Sequence, residues 1–333
     1  MKPRHSSSRL GVLLVLCMVL VLAGCRRAQG NIGPTLQPTL TPTPRSTPLP
    51  AIAPTIAPGS PENPLRMLIQ RPQSALTQTA LNRAVSQLQD ALFEATDLIV
   101  EIQLVDVSAD LIAALCSAPV GAPTVVWIGG LGYAVAAAQN CGSPVLQGRR
   151  GRGTSARSGE EIQIIVQRDS DIVAIADLEN VTFCRLNSRD VQTWMMPALI
   201  MQANGFNAAD LGALVDQPDI DALIEAVIQG ECDAAGISAS DFEQFASADA
   251  RRSIRALSQT AMLPLPLLMY PTGLPLNVQQ ALEAGVVAVM AAEAAPLRAL
   301  LGIDSVARVE MAPLETFTAF LRRTGLDLAQ FGV

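Results

Sequence analysis

PTVVWIGGLGYAVAAAQN, residues 123–140, holds a strand and a helix with almost nothing between them. The apolar run 123–130 is rich in β-branched residues and ends in Gly129 and Gly130. Residues 131–140 then read as a helix of small side chains. The alternation extends both ways. Upstream lie a strand at 98–105 and a helix at 108–116 that opens on Ser108, a capping residue. Before them come a strand at 65–70 and a helix from Ala75 to Phe93 with Leu81, Val85, Leu88 and Leu92 at helical spacing. Downstream, 143–147 reads as another strand. The order β-α-β-α-β-α-β argues for a parallel sheet covered by helices.

A polar loop with several arginines, 148–160, closes this unit, and 161–168 reads as a strand. After a turn or short helix at 170–180 the alternation restarts. Strands are expected at 181–186, 213–215, 232–238 and 254–260. Helices are expected at 188–205, kinked or started late by Pro197, at 219–230 and at 240–248. The helix 219–230 is the best defined, with Asp219 as cap, Gly230 as stop and Ile220, Leu223, Ile224, Val227 and Ile228 on one face. A strand at 263–270 follows, then a helix capped by Asn277 and running to Ala292. The last helix starts near Pro313 and turns Leu314, Phe317, Phe320 and Leu321 inward. Two α/β units of comparable size emerge, without a short internal repeat.

The chain of 333 residues carries 23 basic and 30 acidic residues, a formal net charge of −7. Its N-terminus is different material. Lys2, Arg4 and Arg9 precede an apolar run from Leu10 to about Ala23, too short for a stable span, which needs about 20 residues. This is a secretory leader. It ends Leu22-Ala23-Gly24-Cys25, which resembles the lipobox of bacterial lipoproteins. The resemblance implies cleavage before Cys25, a diacylglyceryl thioether on it and acylation of the new N-terminus, so the membrane becomes a partner through the anchor. The alternative is an ordinary leader with an incidental cysteine. Residues 25–64 have proline every few positions and few charges. They read as an extended tether, with a glycosylated stalk as a further option.

Lys2 and His5 are the chain's lysine and histidine, and both lie in the leader. A mature chain without histidine excludes a Ser-His-Asp triad and any histidine base or metal ligand. Neither a metal-ligand spacing nor a GxSxG elbow occurs, so no enzyme, no metal and no cofactor is expected. An acidic chain also argues against nucleic acid as a partner. Cys116, Cys141, Cys184 and Cys232 remain after the leader and anchor are set aside. In an exported chain they are expected to form two disulfides, with three connectivities open. Pairing sequence neighbours, Cys116–Cys141 and Cys184–Cys232, is the simplest. Buried free thiols are the alternative.

The order of these pieces resembles type 2 substrate-binding proteins of ABC transporters, and within them the phosphate/phosphite/phosphonate-binding group. VVWIGGLGYAVA (125–136) resembles that group's strand-loop-helix that places an aromatic in the cleft. EIQIIVQRDSDIVAIADLENVTFC (161–184) resembles its crossing strand, turn and first lobe-two strand. DALIEAVIQGECDAAGIS (221–238) resembles its helix and the strand with an aspartate near the cleft. ALSQTAMLPLPLL (256–268) resembles its return crossing. The resemblance implies an α/β, two-lobed type 2 periplasmic-binding-protein fold, each lobe a mostly parallel sheet flanked by helices. It places lobe one at 65–164 and 262–333, lobe two at 165–261, and hinges near 165–170 and 260–265. It implies a lipid-anchored, monomeric protein at the outer face of the membrane that passes a small polar solute to an ABC permease. A sensory or scaffolding lipoprotein of the same fold is the second reading, and an extracytoplasmic enzyme a third.

Candidate ligand contacts follow. Tyr133 comes one turn after two glycines at a strand end, where open α/β sheets bind ligands. Packing is its other reading. Gln73 and Ser74 sit in the loop after the first strand. Family members often carry a serine-rich segment at the start of the lobe-two helix. This chain has CRLNSRDVQTW (184–194) instead, so Asn187, Ser188, Arg189 and Asp190 occupy that helix start, a natural anion site. Asp190 brings negative charge there, which makes a zwitterion or neutral polar solute as credible as a phosphonate. Trp194 is a stacking platform or a core anchor. Asp233 is implied by the resemblance to face the cleft, and Ser238 lies just beyond that strand. Arg185 is expected to face solvent or pair with an acid.

Overall fold

The computed structural model describes residues 56–72, 76–292 and 295–328. The leader, Cys25, most of the tether, Gln73 and Ser74 lie outside them. The strands form two six-stranded sheets. The first half of the chain runs β1 (Leu65–Gln70), α1 (Gln78–Thr96), β2 (Val100–Val105), α2 (Ser108–Cys116), β3 (Thr124–Ile128), α3 (Gly130–Ala138), β4 (Ser143–Arg149) and β5 (Gly159–Gln167). A π turn (Val191–Met195) opens α4 (Met196–Ala203) after β6 (Thr182–Arg185). Then come β7 (Ala213–Asp216), α5 (Ile220–Gln229), β8 (Ala234–Ser238), α6 (Ala239–Phe245), α7 (Ala248–Ser253) and β9 (Ile254–Ala256). The chain closes with β10 (Ala261–Pro264), β11 (Leu267–Tyr270), α8 (Leu276–Ala291), α9 (Pro296–Leu301), β12 (Ser305–Arg308) and α10 (Met311–Arg323).

The first sheet has the order β12-β4-β11-β3-β1-β2. β1, β2, β3 and β4 point one way, and β11 and β12 return antiparallel. The second sheet has the order β10-β5-β8-β6-β7, with β9 beside β5. There β5 alone opposes the rest. The fold is thus a two-lobed α/β architecture with mixed, mostly parallel sheets. The expected strand at 263–270 is two strands, because Pro264 and Pro266 have no N–H to extend a ladder. β10 stays with β5, whereas β11 enters the first sheet between β3 and β4.

β5 lies in the second sheet along its whole length, from Gly159 opposite Pro264 to Gln167 opposite Ile254. The chain therefore passes between sheets at 150–158 and at 265–266, and the first passage lies upstream of the expected 165–170. The two passages touch: Leu265 N–H donates to Ser158 O at 3.0 Å, and Gly148 N–H to Pro266 O at 2.8 Å. The end of the tether is also folded. Gly59 N–H bonds Asn63 O, and Ile99 N–H bonds Gly59 O. Gly59 has a positive φ of 87° and sits where a Cβ would meet Leu98 at 2.6 Å, so both conformation and space call for glycine.

Strand alternation sorts the core. Met67 and Ile69 of β1, with Val125 and Trp127 of β3, pack against Leu81, Leu88 and Leu92 of α1 and Leu282 and Val286 of α8. Leu68, Val126 and Ile128 face the other way. They join a cluster that also holds Ile162, Ile164 and Phe183 of the second sheet, Ile200 of α4, and Leu314, Phe317, Phe320 and Leu321 of α10. The final helix thus caps a core shared by both lobes. A third cluster lies under α5, with Leu223, Ile224 and Val227 against Ile165, Ala235 and Ile237.

Each lobe has its own disulfide. Cys116–Cys141 ties the end of α2 to the chain after α3, and Cys184–Cys232 ties β6 to the entry of β8. Two expected caps shift, by one position and by two. The residues before α2 and α8 are Val107 and Pro275, so Ser108 and Asn277 belong to the first turns.

Candidate functional site

The passages fix which sheet ends face one another. The first leaves the C-terminal end of β4, and the second enters β11 beside the C-terminal end of β3. In the second lobe, Gly159 and Pro264 meet at the end where β8 and β6 also finish. Both lobes therefore turn the carboxyl ends of their parallel strands toward the passages, the usual place for a ligand in an open α/β sheet.

On lobe one this end carries Gln70, Arg71, Asp106, Gly129 and Gly130. The Arg71 guanidinium pairs with Asp106 and donates to Gln78 Oε1 at 3.1 Å. A Cβ on Gly130 would meet Pro264 at 2.6 Å, so the start of α3 rests directly on β10. Tyr133 lies one turn further on and is buried at 5% exposure, inside the shared core. Burial, and then the carboxylate of Glu315 on α10, raise its phenol pKa.

On lobe two, the chain from β6 turns through Asn187, Ser188, Arg189 and Asp190 into the π turn. Asn187 Oδ1 accepts the Arg189 N–H at 2.9 Å. Asp190 Oδ1 accepts both the N–H and the hydroxyl of Thr193, at 2.7 and 2.8 Å. Thr193, 1% exposed, also accepts the Leu186 N–H at 3.0 Å. The π turn has a local cause. Pro197 cannot donate to Thr193 O, and the Asp190 carbonyl instead takes the N–H groups of Trp194 and Met195 at 3.2 and 2.9 Å. Trp194 is half-buried and has two neighbours on its ring. Arg185 lies 4.7 Å above its ring, and Phe183 meets it edge-on at 5.9 Å. Arg185 itself pairs with Asp216.

At the same end, β8 finishes in Ser238, fully buried, whose hydroxyl donates to Asp241 Oδ2 at 2.7 Å and accepts the Asp241 N–H at 3.0 Å. Glu160, 5% exposed, accepts the Ser240 N–H. Burial raises the Asp241 carboxyl pKa. Glu160 and Asp190 add to the rise, while the Ser238 bond and Arg150 oppose it. Glu160, Asp190, Asp241, Thr193, Ser238 and Ser240 thus form a polar wall at this end, with Glu160, Thr193 and Ser238 buried within it.

Asp233 is placed elsewhere. It is exposed, at the opposite end of β8, where its carboxylate accepts the Thr182 N–H at 2.7 Å. The structure brings Asn187, Ser188, Arg189 and Asp190 to the facing end. It seats Tyr133 and Trp194 in packing and sets Asp233 a strand's length away. Glu160, Thr193, Ser240 and Asp241 lie at the same end and were not among the candidates the sequence offered. A signal existed for Asp241, since Ser238-Ala239-Ser240-Asp241 has the Ser-x-x-acid form of a helix start.

A carboxyl whose pKa is raised in the fold loses stability as pH rises through its own titration. Asp241→Asn, which keeps an acceptor for Ser238, should match the parent near pH 3. It should gain on the parent as pH climbs above the ordinary aspartate range. Urea midpoints from pH 3 to 7 check this, and a constant difference across that range would refute it.

Two open concavities lie apart from this wall. One, of about 430 Å³, runs from Asp106 and Val107 along the edge strand β2 to Arg66 and Ala114. Another, of about 270 Å³, lies between Ala137, Thr318 and Arg322. Among the described residues no group of acids and cysteines is arranged to hold a metal ion.

Two lobes joined by two adjacent passages, with facing strand ends that frame a polar wall, define a type 2 solute-binding protein. Residues 73–313 match the family model for the periplasmic substrate-binding protein of phosphonate ABC transporters, and the chain belongs to that family. Its members bind solutes for transport and are not enzymes. A Xanthomonas citri protein solved with ATP has a TM-score of 0.59 at 16% identity, over 78% of this chain and 98% of that one. A binding protein component of an ABC phosphonate transporter from Pseudomonas aeruginosa has a TM-score of 0.51 at 14% identity, over 80% and 89%. A Prochlorococcus marinus protein solved with methylphosphonate has a TM-score of 0.51 at 13% identity, over 78% and 98%. These likenesses are of fold. Comparison with curated proteins returns no match.

Proposed function

We propose that this chain is a lipid-anchored, monomeric solute-binding protein that closes its two lobes on a small phosphonate- or phosphate-like solute and delivers it to an ABC permease. The observation that carries this is the facing of both sets of strand ends across the passages, with the helix start at Asp190–Val191 on the lobe-two side. The first turn of that helix suits an anionic end of the solute. Glu160, Asp190 and Asp241 suit a cationic end, which favours a zwitterion over a simple anion. Contacts come from Asn187, Ser188 and Arg189 on lobe two; the sequence candidate Ser74, outside the described residues, is the proposed contact from lobe one. The methylphosphonate complex of the Prochlorococcus marinus relative supports the anionic half of this reading.

A thermal-shift screen tests it, with methylphosphonate, an aminoalkylphosphonate, inorganic phosphate, amino acids and thiamine-like compounds. A ligand at 100 times its Kd stabilises by about 2.7 kcal/mol, a plainly visible shift. The aminoalkylphosphonate should give the largest shift. No response to any compound at millimolar concentration would overturn the reading. Anchoring is tested separately. Wild type should partition into a detergent phase and Cys25→Ala into water. Equal partitioning into water would leave Cys25 unlipidated.

A further inference from the structure

Arg150 is the residue at which the chain leaves β4 for the second lobe. Its backbone pairs with Arg157 in both directions, at 2.9 and 2.8 Å, and closes a small loop. Its side chain reaches two ways. Nε and Nη2 donate to Gly302 O, at 3.3 and 3.2 Å, on the turn between α9 and β12 of lobe one. Nη1 donates to Glu160 Oε2 at 2.7 Å, at the start of β5 in lobe two. The next residue, Gly151, gives its N–H to Asp304 at 2.7 Å, so the loop is held to lobe one as well.

The two ends of this bridge differ in kind. Gly302 O belongs to a backbone turn with a φ of +63°. Glu160 is a buried carboxylate whose other oxygen takes the Ser240 N–H, one residue from Asp241. A buried charge stripped of its partner is strongly destabilised, so Glu160 holds Arg150 firmly. Rotation of the lobes about the passages moves Glu160 relative to Gly302 and must stretch one side of the bridge.

We propose that Arg150 is a positioning residue: it sets the resting angle between the lobes and links that angle to the placement of Glu160 and Ser240 in the polar wall. The proposal rests on the reading of lobes that open and close on a solute. A ligand that shifts Glu160 would thereby bias the passage, and lobe closure would in turn reposition the wall, since such coupling is reciprocal.

The test uses the full mature chain with dyes on non-natural residues replacing exposed Arg83 of α1 and Asp221 of α5. Single-molecule energy transfer then reads the ratio of open to closed separations. Arg150→Met and Glu160→Gln should each change that ratio by about fivefold or more. Glu160→Gln should keep a melting temperature near the parent's, whereas Arg150→Met, which leaves Glu160 unpaired, lowers it. The double variant should change it no further, because both substitutions break one bridge. Single variants within about twofold of the parent, or effects that multiply in the double variant, would overturn the proposal. Should Arg150→Met fail to fold, Arg150→Lys keeps a charge for Glu160 but loses the paired bonds to Gly302. It should give an intermediate shift, and no shift would overturn the proposal. A parent showing one separation with every compound of the screen would overturn the binding reading itself, and this proposal with it.

Discussion

Gly236→Ala is expected to cost about 3 kcal/mol, at the upper end of overpacking effects, and to abolish solute binding. A Cβ on Gly236 would lie 2.3 Å from Pro197 Cγ and 2.4 Å from Thr193 O. One obstacle is a ring and the other is backbone, so neither can rotate away. The first turn of the helix must lift off β8, and it carries Asp190 with it, since that carboxylate is bonded to Thr193. Gly205→Ala is the control. Gly205 has a φ of +80° with nothing within 4 Å of a built Cβ, so its cost is conformational alone, about 1–2 kcal/mol. Urea unfolding of both variants gives the comparison. A Gly236→Ala protein as stable as the control would show that the helix start adapts.

Replacing Cys184 and Cys232 together by alanine is expected to cost about 2–5 kcal/mol, the usual range for a native bridge. Both residues are fully buried, and the bridge closes 48 residues of sequence. The Cys116–Cys141 bridge closes 25. Loop entropy makes its removal about 0.6 kcal/mol cheaper, because loop cost grows slowly with length. Neither bridge crosses between lobes, so each double variant should weaken its own lobe. Limited proteolysis locates the weakened part. A loss below about 1 kcal/mol for Cys184/Cys232 would mean that packing alone holds β6 to β8.

Local signals in the sequence were reliable where they were dense. The helix Ile220–Gln229 has its Asp219 cap, bonded to the Ala222 N–H at 2.8 Å, its apolar face and its Gly230 stop in the left-handed region. The four inward residues of α10 are all buried. The Pro197 irregularity appears as the π turn. What failed to show was non-local. β12 and α9 carry no distinctive pattern, and β12 becomes a strand by pairing with β4. The split of 263–270 depends on which sheet each half joins. In the site, an aspartate on either side of β8 fits the same local pattern. Asp233 and Asp241 lie at opposite ends of β8, and which end faces the passages depends on how β8 pairs in the sheet, which a sequence does not display. Tyr133 shows the converse: its place after two glycines was legible, but its burial against α10 depends on residues far along the chain.

The insertion of β11 between β3 and β4 has a consequence for the order of assembly. All strands of the second sheet lie in the unbroken stretch 159–264, so that lobe can form as soon as this stretch is available. The first sheet cannot. During synthesis its β1-β2-β3 half and β4 wait with an unfilled seam until residues 267–270 arrive, and β12 comes later still. The half made first is therefore finished last. Such waiting surfaces are where a growing chain aggregates or recruits a chaperone. For this protein the vulnerable interval ends only when the C-terminal helix closes over the shared core.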